Sequence, residues 1–344
     1  MVRTLIVASL LTACAEDAGP RGSADPDWGF LDYTIEVPPV AEGGYQVATP
    51  IVEIPAYTEA QTCNFETWEG PDMGVVAAMD YYNRAVTHHT AVLDVHDDRF
   101  PDGEIVNCEM QGTSAMDVYG LLFEGGGPEL PEDFVPPGPQ WDVTYWSEDV
   151  ANVSMIGLPE GVAFPLKTGQ RIAIDFHVLN PFDQPIRTNA AYNFTLVPPS
   201  EVEHWARAGM LDSAPFTLPR GETELEFDCP FDSDTQITNI QPHMHDYGME
   251  YIVDIVRLDG SIDRVLHVED WPASFKTEAP FYHYPPGELE VKAGESMRTI
   301  CRWSNPTGME LEYPIEMCTT AFVGYPMEES MICFGNVSPE PIER

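Results

Sequence analysis

Two short stretches hold the residue types that could do chemistry. In Gln241-Pro242-His243-Met244-His245 a single residue separates two histidines. Side chains at i and i+2 of a β-strand point to the same face, so His243 and His245 can offer two imidazoles to one metal ion. Met317, in Glu316-Met317-Cys318, is the candidate third ligand. Two imidazoles and a thioether mix harder and softer donors, a set that suits copper cycling between Cu(I) and Cu(II) better than zinc, magnesium or calcium. By itself Met317 is one of 14 methionines, most of which fill gaps in a core. Its place beside Cys318 singles it out, because a disulfide there would hold the thioether in position.

The first half offers three more imidazoles. His88 and His89 are adjacent and would point to opposite faces of a flat strand. They can share a metal only where the backbone twists or bulges, or where they bind through different ring nitrogens. His177 ends the run Arg171-Ile172-Ala173-Ile174-Asp175-Phe176-His177, which alternates. Ile172, Ile174 and Phe176 take one face, and Ala173, Asp175 and His177 the other, outer one. His96, His204, His267 and His283 have no partner at a useful spacing and read as structural or surface residues. Other chemistries lack their motifs: there is no Gly-x-Ser-x-Gly elbow, no Gly-x-x-x-x-Gly-Lys phosphate loop and no His-Glu-x-x-His helix. Carboxylates are too abundant for any pair to be informative, and Asp94, Asp97, Asp98 and Asp102 lack the Gly and Glu spacing of an EF-hand.

The elements that must position these residues read as strands. The chain has 344 residues, enough for two domains each burying its own core. Its 32 Pro and 26 Gly are spread along the whole length, with short alternating apolar runs between them, which predicts an all-β fold. Strand-like sequence starts near Tyr33, and Gly125-Gly126-Gly127-Pro128 and Pro136-Pro137-Gly138-Pro139 mark a surface loop. Pro198-Pro199-Ser200 reads as the boundary between domains over residues 31–197 and 198–344. Beyond it, 224–229 alternates, and 251–258, Asp259-Gly260 and 262–268 read as a hairpin with a two-residue turn. Met297, Thr299, Cys301 and Trp303 share one face of a further strand, and 316–323 is the last clear one.

Residues 1–13, with Arg3, an apolar run from Leu5 to Leu11 and Leu11-Thr12-Ala13 before Cys14, read as a cleaved bacterial lipoprotein signal. Cys14 would then be lipidated, and residues 14–30, small, polar and broken by Pro and Gly, form a flexible tether. No later run reaches the ~18 apolar residues of a transmembrane helix. The expectation is an exported, lipid-anchored protein of the bacterial cell envelope, touching the membrane only through its anchor. Ala15, in place of an inner-membrane-retaining Asp, favours the outer membrane. Setting Cys14 aside leaves six of the seven cysteines, enough for three disulfides, which sequence alone can pair in fifteen ways. With 57 acidic against 16 basic residues the net charge is −41, which excludes nucleic acid as a partner and would attract a cationic substrate. Oligomeric state leaves no mark in the sequence.

In chain order, His88-His89, His177, His243-Met244-His245 and Glu316-Met317-Cys318 resemble the copper type II, ascorbate-dependent monooxygenases, the family of peptidylglycine α-hydroxylating monooxygenase and dopamine β-monooxygenase. The resemblance covers roughly residues 60–335. It implies two tandem jelly-roll-like β-sandwiches, each with a copper site, facing an interdomain cleft. His88, His89 and His177 match the electron-transfer copper, and His243, His245 and Met317 the oxygen-activating copper, giving two coppers per chain. The implied disulfides are Cys63 with Cys108, Cys229 with Cys333, and Cys301 with Cys318. The implied activity is hydroxylation of a C–H bond of a small organic substrate, using dioxygen and ascorbate or a similar one-electron donor. Gln241 stands where the peptide-hydroxylating branch has a carboxylate-gripping arginine, and Thr319 and Ala321 replace that branch's Asn and Tyr. A glycine-extended peptide is therefore a poor candidate, and an aromatic amine is preferred. The alternative is a copper-binding envelope lipoprotein without catalysis.

Overall fold

The computed structural model describes residues 29–83, 85–95, 101–107, 141–147, 155–272, 275, 281–313 and 315–342. The expected signal, the lipidation site Cys14, nearly all of the tether, His96, Cys108 and the loop of 125–139 lie outside the described residues. No helix among the described residues is long and apolar enough to cross a membrane.

The fold is all-β and stacks four main sheets as two sandwiches. In the first sandwich, one sheet orders His204–Trp205, Val162–Leu166, Met73–Tyr81, Ala191–Val197 and Tyr45–Ala48. Its partner orders Ile105–Asn107, Glu59–Thr67, Arg171–Leu179, Thr87–Val95 and Trp141–Ser147. In the second, Tyr282–His283, Thr235–His243, Thr319–Tyr325, Arg207–Asp212 and Met331–Phe334 face Ile262–Val268, Gly248–Val256, Ser296–Asn305, Gly221–Pro230 and Glu340–Pro341. Several successive strands cross from one sheet of a sandwich to the other, as Gly221–Pro230, Thr235–His243 and Gly248–Val256 do. That hopping is the jelly-roll manner of covering sheet edges.

Alternation decides which side chains fill each sandwich. Gly221–Pro230 buries Leu225, Phe227 and Cys229 and turns Glu224, Glu226 and Asp228 outward. Ile172, Ile174, Phe176 and Val178 enter the first core, and Met297, Cys301 and Trp303 the second. A third apolar cluster joins the sandwiches: Cys63, Phe65, Ala91, Leu93, Val95 and Ala173 pack against Ala208 and Met210. The inner sheet of each sandwich is therefore covered on both faces. For this reason Ala173, Asp175 and His177, expected on an outer face, are buried.

Sheet membership places the crossing between sandwiches just after Trp205. His204–Trp205 still pairs with the first sandwich at Val162–Ala163, and Arg207–Asp212 belongs to the second. Pro198 and Pro199, where the sequence breaks, form a 3₁₀ turn inside this linker. The expected hairpin pairs Gly248–Val256 with Ile262–Val268. Its loop is longer than two residues: the Arg257 amide donates to the Ser261 carbonyl, and Gly260 takes the turn at φ 84°.

Two disulfides pin the sheets of the second sandwich to each other. Cys229 is bonded to Cys333, and Cys301 to Cys318, the pairings implied by the family resemblance. Cys63 is also disulfide-bonded.

Candidate metal centre

Directly opposed residues of an antiparallel pair share a face. Asn239, Gln241 and His243 oppose Val323, Ala321 and Thr319, which in turn oppose Ala208, Met210 and Asp212. Since Ala208 and Met210 join the cluster between the sandwiches, His243 lies on the face turned to the first sandwich. Ile240 and Met244 point the other way, into the second core. His243 is 5% exposed and ends its strand; His245 lies just beyond, in the turn leading to Gly248.

The two imidazoles nevertheless converge. Their Nε2 atoms are 3.0 Å apart, with the ring planes at 90°. His245 Nδ1 lies 3.1 Å from the Ile315 carbonyl. A carbonyl only accepts, so Nδ1 carries the proton and Nε2 of the neutral ring keeps its lone pair. That lone pair then accepts the Nε2 proton of His243, at the point where a cation would replace the proton. Two nitrogens bound at about 2.0 Å to one ion can be at most about 4 Å apart, a limit that the pair meets.

Glu316 fastens this turn from the far side. Its Oε2 accepts from the His245 amide and the Trp303 indole, both at 3.0 Å, and its Oε1 from the Tyr247 amide at 2.6 Å. The carboxyl is 1% exposed, and burial pushes its pKa up to about 7 against the pull of those three donors.

The paired register ends with His243 opposite Thr319, and Met317 lies two residues beyond that end on one segment as His245 does on the other. Met317 is 8% exposed, yet it belongs to neither sandwich core, whereas its neighbour Cys318 does. Its backbone is held on one side by Glu316 and on the other by the Cys301–Cys318 disulfide. Asp212 opposes Thr319 and accepts its hydroxyl at 2.7 Å and the Ala214 amide at 2.8 Å. Burial raises its pKa to about 6, and the nearby His243 pulls it down.

In the first sandwich, Gln61, His177 and His89 stand in one row across three strands. Gln61 donates to Asp175 Oδ2 at 2.7 Å on the same buried face. His177 opposes His89, but Val178 opposes Thr87, so His88 is the extra residue of a bulge. A bulge is the irregularity that two adjacent histidines need in order to serve one face. The side chains of His88 and His89 lie outside what is described.

Among the described residues no cluster of three or more His, Cys, Asp or Glu side chains is placed to hold a metal. His243 and His245 make two, so among the described residues a third donor would be of another type, and the thioether of Met317, two residues before Thr319, is the candidate. Elsewhere His267 contacts Glu250 at 2.6 Å on the outer sheet, and His204 and His283 are exposed. Sequence reasoning named Glu316 only as a neighbour of Met317 and Trp303 only as a residue on a strand face, and passed over Asp212. In a chain with 57 acidic residues no single carboxylate carries a signal.

No family model and no curated protein matches this chain. Among solved structures it is similar to the major capsid protein P2 from Bacteriophage PM2, at 11% identity and a TM-score of 0.35, over 82% of this chain and 97% of that one. It is also similar to PBCV-1 VP54 fitted into a reconstruction of the virophage Sputnik, at 9% identity and a TM-score of 0.28, over 85% of this chain and 95% of that one. The triple jelly-roll protein of an archaeal virus turret follows at 10% identity and a TM-score of 0.23, over 85% of this chain and 62% of that one. Likeness of this degree transfers no function.

Proposed function

We propose that this chain is a copper-dependent monooxygenase that hydroxylates a C–H bond of a small organic substrate, with ascorbate or a similar one-electron donor. The observation that carries the reading is the convergence of His243 and His245 Nε2 at 3.0 Å, with the Nδ1 proton of His245 committed to Ile315. The donor set of two imidazoles and a thioether suits copper in both oxidation states. When bound, copper supplies one-electron exchange and activation of dioxygen.

The chain's own residues have separable parts. His243 and His245 present lone pairs from a strand end and the following turn, and Ile315 keeps the His245 ring in the tautomer that can ligate. Met317 adds a soft donor that favours the reduced metal. His88, His89 and His177 form the second ligand set, supported by the bulge at His88 and by the face His177 shares with Asp175. His177 and His243 lie on inner sheets that pack toward each other, which suits electron exchange between the two sets. Gln241, on the same face as His243, offers a neutral amide where an anionic substrate would need a cation. An aromatic amine therefore fits better than a carboxylate, and the net charge of −41 favours its approach. The expected setting is the bacterial envelope, with the chain lipid-anchored at Cys14.

Copper content per chain, after loading and exhaustive dialysis, tests this. Two coppers, falling to one in His243→Ala/His245→Ala, with oxygen uptake that depends on ascorbate and an aromatic amine, is the expected result. Two coppers without substrate-dependent uptake across a panel of amines would make it a copper-binding protein. One copper or none would withdraw the enzyme.

A further inference from the structure

We infer that Glu316 is a positioning residue that assembles the ligand set from two separate segments, an inference that rests on the copper reading of His243, His245 and Met317. The turn of residues 244–247 and the segment 315–318 are about seventy residues apart in the chain and are not joined by strand pairing at the ligands themselves: the paired register ends at His243 and Thr319. Beyond that point the two amides given to Glu316 and the His245 Nδ1 contact with the Ile315 carbonyl tie them together.

The geometry is that of a clamp. One carboxylate takes amides at positions 245 and 247, on either side of exposed Asp246, so the turn cannot roll without breaking one of them. The indole of Trp303, fully buried in the second core, fixes the carboxylate itself. Trp303 lies on the strand that also carries Cys301, and Cys301 is bonded to Cys318. Met317 thus sits between two residues anchored to one strand, Glu316 through Trp303 and Cys318 through Cys301. The clamp sets where the thioether stands relative to the imidazoles; His243 is held by strand pairing, and the ring of His245 has the Ile315 carbonyl in addition to the clamp. Glu316 should therefore govern the third ligand more than the first two.

Three donors aimed at one carboxyl also explain why an amide should not substitute. Glu316→Gln would turn an N–H toward an amide or indole N–H, losing part of the clamp with almost no change in volume.

The test compares the full chain, disulfides intact, with Glu316→Gln and Met317→Leu. Cu(I) affinity is measured by chelator competition, Cu(II) affinity in parallel, and sulfur coordination by X-ray absorption. The expected result is that Glu316→Gln resembles Met317→Leu: sulfur scattering is lost and Cu(I) affinity falls about 10- to 100-fold, as for loss of a supporting residue, while Cu(II) affinity holds within about threefold. Glu316→Gln that keeps sulfur and Cu(I) affinity overturns the clamp, as does equal loss of both ions. If the wild-type chain binds no copper sensitive to His243→Ala, the copper reading has failed instead. A further readout needs no variant: in the metal-free wild-type chain the amides of His245 and Tyr247 should exchange with solvent more slowly than that of exposed Asp246. Exchange of all three at the same rate overturns the preformed clamp.

Discussion

At the scale of single residues, the candidate centre depends on buried polar groups, His243, Glu316 and Asp212 among them. Met317 has the most direct test. Met317→His should keep copper, because imidazole is also a good ligand, but lose most turnover, because the soft donor that favours Cu(I) is gone. Steady-state oxygen uptake with substrate checks this, and unchanged turnover would sink the role of Met317. Asp212 gives a test free of metal. Its folded pKa is about 6 against an ordinary 3.8. The folded chain therefore holds that proton more tightly than the unfolded chain does. The stability it contributes is fully present below pH 3.8 and is lost as pH rises through 6. It amounts to about 3 kcal/mol. Glu316, pushed to about 7, acts in the same direction. Urea midpoints measured from about pH 4 to 7 should fall less steeply in Asp212→Asn than in the wild type. Parallel curves would contradict the buried proton.

At the scale of elements, the second sandwich is held by more than its core. Cys229 lies in the outer sheet and Cys333 at the edge of the inner one, 104 residues apart. A crosslink closing a loop of that length restricts the unfolded chain strongly. Cys229→Ala/Cys333→Ala should therefore cost about 2–5 kcal/mol, read as a lower denaturant midpoint with an m-value that rises as the unfolded chain expands. On the same outer sheet Arg298 pairs with Asp228 and Glu226, Arg264 with Asp254, and Arg302 with Glu224 and Glu250. These ladders sit between directly opposed residues, such as Arg298 and Asp228, and keep the outward carboxylates of Gly221–Pro230 from repelling one another. Each exposed pair is worth little, roughly 0.2–1 kcal/mol.

At the scale of the whole molecule, the net charge of −41 dominates. With 16 basic residues against 57 acidic ones, most carboxylates have no cation to face, and their mutual repulsion opposes the compact state. Screening reaches about 10 Å at 0.1 M salt and shortens as salt is added, so raising sodium chloride from about 10 mM to 1 M should raise Tm by several degrees. A Tm that falls over that range would mean that the ion-pair ladders outweigh the repulsion.

What the sequence determined by itself was local. Alternation at Ile172, Ile174 and Phe176, and at Met297, Thr299, Cys301 and Trp303, assigned strands and faces correctly, because a strand repeats every two residues whatever it packs against. The donor types at 243, 245 and 317 could be read because chemistry is carried by residue identity. Tertiary structure decided the rest. His245 falls beyond its strand, so the convergence of Nε2 atoms comes from the turn and from Ile315, not from the strand repeat that predicted it. The outer face of Arg171–Leu179 became interior because a second sheet covers it, a contact that no periodicity encodes. Glu316 reaches the His245 amide across 71 residues of chain. That meeting depends on the register of distant strands and on where Trp303 sits in the core, and neither is written in the residues around it.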